Sequence, residues 1–177
     1  MIESSLPPRM TSPSLRVLVL TPIYPWPGDP NEGIFVHRQI ANLAQRGITC
    51  RVLTYRPAVR GLPSWLTPAS WLRYHPRWVA WPRTLNNVPV SHTFFTRRLT
   101  TEDTVPGIGD TLIRFIERHP EYKETDVVYA HWLWTGGAAA LRLREHFGWP
   151  VAAIARGSDM HHWHAIHPHC RPHVERV

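Results

Sequence analysis

Leu15-Arg16-Val17-Leu18-Val19-Leu20-Thr21, then a loop from Pro22 to Glu32 and a glycine at Gly33, is the stretch that decides the fold. Leu15, Val17, Val19 and Leu20 make a dense aliphatic run of strand length, as expected of a strand buried on both faces. Thr21 to Glu32 contains four prolines, Pro22, Pro25, Pro27 and Pro30. They lack backbone donors and the segment has no hydrophobic period, so it is a loop. Gly33 opens a helix in which Val36, Ile40, Leu43 and Ala44 share one face of a 3.6-residue turn. Gly47 closes that helix at the position where glycine commonly ends one. Cys50, Val52 and Leu53 restart an extended run. The unit is βαβ, whose parallel crossover is nearly always right-handed and whose strand carboxyl ends are where ligands bind.

Working outward, the first 14 residues are rich in Ser and Pro and carry no apolar segment of the secretory kind, so residues 1–14 are expected to be a loose tail. Beyond the second strand, Arg56 to about Asn87 alternates prolines with Trp65, Trp71, Trp78 and Trp81. A stretch of that length without period is either functional or mobile. Its tryptophans either pin a long loop to the core or form a lip of arginine and tryptophan facing an acceptor or a membrane. Asn87 to Phe95 is a further short strand, and a helix is expected from about Asp110 to His119, with Pro106-Gly107 ahead of it and Pro120 ending it. Asp126 to His131 is a buried strand ending on a histidine. Gly136-Gly137-Ala138-Ala139-Ala140 opens a small-residue helix that Gly148-Trp149-Pro150 breaks. Val151 to Ala155 is a strand, followed directly by Arg156-Gly157-Ser158-Asp159. The alternation predicts an α/β fold, a Rossmann-like three-layer domain with a parallel sheet over residues 15–160. Three strand ends then carry chemistry along one edge: the loop before Gly33, His131, and Arg156 to Asp159.

The bulk composition bounds the class. Hydrophobic residues make up 43% and charged residues 19% of the chain, which excludes wholesale disorder. Net charge is +7, nearly all of it arginine, with Lys123 the one lysine. Arginine suits bidentate phosphate and carboxylate recognition, so an anionic ligand or membrane surface fits the composition. The charges form no stripe, and there is no RNP-like or helix-turn-helix pattern, so nucleic acid is not an expected partner. Cys50 and Cys170 are too few for a disulfide framework, giving a reduced, cytoplasmic setting as the default. No run approaches the roughly 18 apolar residues of a membrane span.

The motifs themselves resemble a family. Thr21-Pro22-Ile23-Tyr24-Pro25 through Gly33-Ile34-Phe35-Val36-His37-Arg38-Gln39, with Leu43-Ala44-Gln45-Arg46-Gly47, looks like the amino-terminal half of the family 4 (group 1) glycosyltransferases. Tyr129-Ala130-His131-Trp132 and Ala155-Arg156-Gly157-Ser158-Asp159 resemble its later motifs, in the same order. The resemblance implies one half of a GT-B architecture, in which two Rossmann-like domains face each other across a cleft. It further implies a retaining hexosyl transfer from a nucleotide-diphosphate sugar to a hydroxyl on a polysaccharide or lipid-linked glycan, with no metal or other cofactor. Carried onto this chain, it implies Gly33 at the donor diphosphate, His131 as the catalytic-site residue beside the transferred sugar, and Arg156, Gly157 and Asp159 shaping the cleft floor. Arg156 either pairs with Asp159 or meets an anionic group of the acceptor. Independently of the resemblance, Trp65, Trp71 and Trp78 in the Pro/Trp stretch are the candidate acceptor-side loop, and this loop with the arginine excess gives an expectation of peripheral contact at the inner face of the membrane.

The same resemblance implies a second, nucleotide-sugar-binding domain following residues 161–177, and expects this chain alone to be an inactive fragment. His161, His162, His164, His167, His169 and His173 gather half of the chain's 12 histidines near Cys170. Their spacing fits no structural-zinc pattern, and Pro168 and Pro172 prevent one helix from aligning them, so no metal site is expected. Two other classes stay open from sequence: a non-catalytic α/β module binding a nucleotide or glycan, and a metal-binding protein built on the histidine tail.

Overall fold

The computed structural model describes residues 14–58, 84–96, 104–161 and 175–177. Strand β1 (Arg16–Thr21) leads through the Pro-rich loop to helix α1 (Ile34–Gln45) and strand β2 (Thr49–Ala58). A two-residue strand β3 (Thr84–Leu85) turns into β4 (Val88–Thr96), followed by helix α2 (Thr104–Arg118). Strand β5 (Val127–His131), a π-helical turn (Leu133–Gly137), helix α3 (Ala138–Phe147), strand β6 (Val151–Ile154) and the short helix α4 (Gly157–His161) complete the order.

The six strands form one sheet in the order β3-β4-β2-β1-β5-β6. Every pairing is parallel except β3 with β4, which is antiparallel. The fold is therefore the expected α/β class, with a mostly parallel sheet between helical layers. From β1 the chain steps outward to β2 and β4, then returns to the other side of β1 as β5 and β6. Crossovers of one hand put helices on opposite faces when the direction of travel reverses.

The core contacts show this division. Leu18 and Leu20 pack with Ile108, Leu112, Ile116 and Leu143 of α2 and α3. Val17 and Val19 point to the opposite face and pack with Val36 and Ile40 of α1. Alternate residues of one strand thus fill two cores, which is why β1 is aliphatic at every internal position.

Four sequence expectations are corrected. Arg56 lies inside β2, which continues to Ala58, and does not begin the Pro/Trp segment. A hairpin precedes β4, turning at Asn86 (φ 47°) and Asn87 (φ 65°), a pair of left-handed residues that asparagine tolerates in two-residue turns. This adds the antiparallel edge to a sheet expected to be wholly parallel. Helix α2 begins at Thr104, not near Asp110, because Pro106 sits in its first turn, where no intrahelical donor is needed. Gly109 within it lets α2 approach α3, since a Cβ there would come 2.8 Å from the Arg142 side chain.

Candidate functional site

Three carboxyl strand ends converge as expected. β1 pairs with β5 in register Leu20↔Ala130, and β5 with β6 in register His131↔Ile154. The reversal of strand order beside β1 makes this edge the topological switch point, where open α/β sheets bind ligands.

The loop leaving β1 is fastened at several points. Thr21 Oγ1 donates to Ile23 O at 2.7 Å, and the Tyr24 hydroxyl meets His37 Nδ1 at 2.7 Å. The far ring nitrogen of His37 bonds the Asn86 amide at 3.0 Å, so loop, α1 and hairpin share one chain of hydrogen bonds. Burial lowers the His37 pKa. Arg56, 2% exposed, donates to Glu32 at 3.1 Å and to the Tyr24 carbonyl at 3.1 Å. Gly33 caps α1 at φ 64°, and a Cβ there would lie 2.8 Å from Ile23 O. Glycine is thus required on both conformational and steric grounds.

His131 is fully buried at the end of β5. Arg156, just past β6, donates from Nη2 to His131 Nδ1 at 2.7 Å and to Gln39 Oε1 at 3.0 Å. Gln39 in turn donates to the Tyr129 hydroxyl at 2.6 Å. Burial, and secondarily the Arg156 charge, push the imidazole down to about 4. His131 is therefore neutral near pH 7. Because Nδ1 accepts from Arg156, the ring proton resides on Nε2. That Nε2 is buried and has no hydrogen-bond partner, as is Arg156 Nε.

Asp159, 2% exposed, does not pair with the Arg156 guanidinium. Its carboxylate accepts from the backbone N–H of Arg156 at 2.8 Å, of Leu133 at 3.1 Å and of Trp134 at 3.5 Å. The bond to Arg156 resembles one half of a capping box, with the third residue of α4 reaching back to the residue before the helix. The bonds to Leu133 and Trp134 hold the turn after Trp132, a bulky residue at φ 67°. Such a conformation costs about 1–3 kcal/mol and persists only where its surroundings over-determine it. Here Trp132 N donates to Ile154 O, its carbonyl accepts from Gly137 N, and its indole N–H donates to Ser158 Oγ. Gly136 is required beneath, because a Cβ there would collide with the His131 carbonyl.

Of the residues singled out in sequence, Gly33, His131, Arg156 and Asp159 are brought to one edge, and Gly157 is the exposed first residue of α4. Trp65, Trp71, Trp78 and the histidines from His162 to His173 lie outside the described residues. Among the described residues, no three His, Cys, Asp or Glu side chains gather in a metal-binding arrangement, and no helix is long and apolar enough to cross a membrane. The sequence reading gave no role to Phe35, Gln39 or Trp132. Phe35 and Gln39 stand four residues apart on α1, a spacing that shares a helix face, and both meet Arg156, whose guanidinium carbon is 5.0 Å from the Phe35 ring centre and 5.9 Å from that of Trp132.

No family model matches this chain, and no curated protein matches it in sequence.

Proposed function

We propose that this chain is the acceptor-side, Rossmann-like half of a retaining glycosyltransferase that moves a sugar from a nucleotide diphosphate to a hydroxyl of a glycan or lipid-linked acceptor. The reading rests on the ordered motif resemblance. One structural observation carries it further: a neutral, buried His131 whose ring N–H has no partner, held by Arg156 at the carboxyl edge of the sheet. Gly33 starts a 12-residue helix on the neighbouring strand's loop, and a helix N-terminus favours a phosphate.

The parts suit the chemistry. In glycosyl transfer the sugar becomes cation-like while negative charge grows on the departing diphosphate. A neutral His131 donates a hydrogen bond to a sugar hydroxyl without placing a second cation against that centre. The amino end of α1 and Arg156 supply positive potential for the leaving group, a preorganised stabilisation of about 3–4 kcal/mol per well-aimed donor in comparable oxyanion sites. Asp159 acts on this site through the backbone that it fixes. The Trp65–Trp78 segment is the proposed acceptor lip, and peripheral membrane contact follows from its Arg/Trp composition. No metal is assigned to the reaction.

The test is to express the longest chain that the coding sequence specifies and follow turnover across a panel of nucleotide sugars. Turnover that falls about 10²- to 10³-fold in His131→Ala, with the fold retained, supports the reading. Binding of a nucleotide or glycan without turnover would reassign the domain as a non-catalytic module. A chain that binds no donor would end the transferase reading.

A further inference from the structure

Two buried or half-buried arginines on this edge are treated differently by the fold. Arg56 is given Glu32, with nitrogen–oxygen distances of 3.1 and 3.3 Å. Arg156 is given none. Its Nη2 meets only neutral acceptors, Gln39 Oε1 and His131 Nδ1, and its Nε is buried without a partner. Asp159 is close in sequence and buried, yet its carboxylate is committed to three backbone N–H groups. Among the described residues no carboxylate pairs with the Arg156 guanidinium. A cation withdrawn from water without a counter-charge is costly, so a fold that keeps one at a strand-end site leaves it short of an anion.

We propose that Arg156 is the receiving cation for an oxyanion, phosphate or carboxylate, of the molecule bound at this edge, with Phe35 and Trp132 as the apolar walls beside it. The geometry supports this in three ways. The aromatic rings of Phe35 and Trp132 lie within cation–π range of the guanidinium. Phe35 is 45% exposed, an uncovered aromatic edge beside the charge rather than a core residue. His131 Nδ1 holds the same guanidinium, so a charge arriving at Arg156 is felt by the imidazole ring, whose Nε2 has no partner. Gln39 serves as a positioning residue, holding Nη2 from α1. The inference deepens the transferase reading, in which the anion is either the donor's diphosphate or a carboxylate on the sugar or acceptor.

The experiment uses the 177-residue chain, with calorimetry and nitrogen-15 NMR of the His131 ring. Pyrophosphate, glucuronate and glucose are the probes, with sodium chloride matched for ionic strength. The expected result is that at least one oxyanion binds and shifts the His131 signals, that glucose and chloride do not, and that Arg156→Gln weakens binding about tenfold or more. A response to pyrophosphate alone assigns the donor diphosphate, and one to glucuronate alone a carboxylate-bearing sugar. No oxyanion response in the unmutated chain, or equal binding by a folded Arg156→Gln variant, overturns the proposal. If Arg156→Gln does not fold by circular dichroism, the His131 response of the unmutated chain decides. The two readings fail separately. An intact anion response without sugar-nucleotide turnover removes the transferase and leaves Arg156, whereas turnover without an anion response does the reverse.

Discussion

Glu32, at the end of the Pro-rich loop, is held to the buried Arg56, on the carboxyl half of β2, by a part-buried two-oxygen contact, and the same guanidinium donates to the Tyr24 carbonyl. The loop is thereby fixed to the sheet before Gly33 turns the chain into α1. Removing one partner of a buried ion pair strands the other and costs about 3–5 kcal/mol. Glu32→Gln is expected to lower the urea-unfolding free energy by about 3 kcal/mol, and Glu32→Gln with Arg56→Met to recover much of that loss. Equal stability of the single variant and the unmutated chain would show that water already shields the pair.

Acid should weaken the domain through His131. Its folded-state pKa is about 4 against an ordinary 6.5. Above pH 6.5 the ring is neutral in both folded and unfolded chains, and the full stability is present. Between pH 6.5 and 4 the unfolded chain takes up a proton that the folded one refuses, so stability falls by about 3 kcal/mol at ~1.4 kcal/mol per pH unit. His37 is displaced in the same direction and adds to this slope. Asp126, held at about 2 by its hydrogen bonds to Arg16, acts in a lower window, where stability is lost as pH falls from 3.8 through 2. His131→Asn should flatten part of the loss between pH 6.5 and 4. An unchanged slope would place the cause elsewhere.

Asp159→Asn tests the clamp on Trp132. The carboxylate serves three backbone donors, and hydrogen bonds to a charged group contribute about 1.5–3 kcal/mol each. An amide keeps one acceptor oxygen, so a loss of about 2–3 kcal/mol is expected. Faster hydrogen exchange should appear at the amides of Leu133, Trp134 and Arg156. Protection unchanged at all three amides would remove Asp159 from that role.

Gly136→Ala should be far more damaging than Gly148→Ala. A Cβ at Gly136 meets the His131 carbonyl and lies 3.2 Å from the Tyr55 hydroxyl, whereas at Gly148 (φ +77°) it meets nothing within 4 Å. The second substitution costs about 1 kcal/mol of backbone strain. The first must also displace the end of β5 and with it the imidazole. Thermal unfolding of both variants, with indole fluorescence as the probe, separates steric from conformational cost.

The central parallel strands were legible because burial on both faces writes itself as unbroken aliphatic runs, as in β1 and β5. Strand-end residues were legible for the same reason, since they are where those runs stop. Gly33 announces its turn, but Asn86-Asn87 does not: with no long strand before it, Asn87 reads as the first residue of the strand that follows. Pro106-Gly107 looked like a break although Val105 and Ile108 are buried core residues of α2. What links Gln39 to Arg156, and the φ of Trp132, arises only when distant elements meet, and no local pattern encodes either. The partner of Asp159 was likewise decided by backbone geometry, which sent the carboxylate to amides and left the guanidinium to the imidazole.

Gln39 and Arg156 are 117 positions apart, and the site that joins them exists only after α1, β1, β5 and β6 have all docked. Such distant closures are formed late and slowly during folding. Any molecule that bridges α1 and the segment after β6 therefore acts as a staple on the entire chain between them, adding its binding free energy to the global unfolding equilibrium. Melting temperature is then a sensor of occupancy: a ligand screen can be read from how late the domain unfolds, without knowing what reaction it serves.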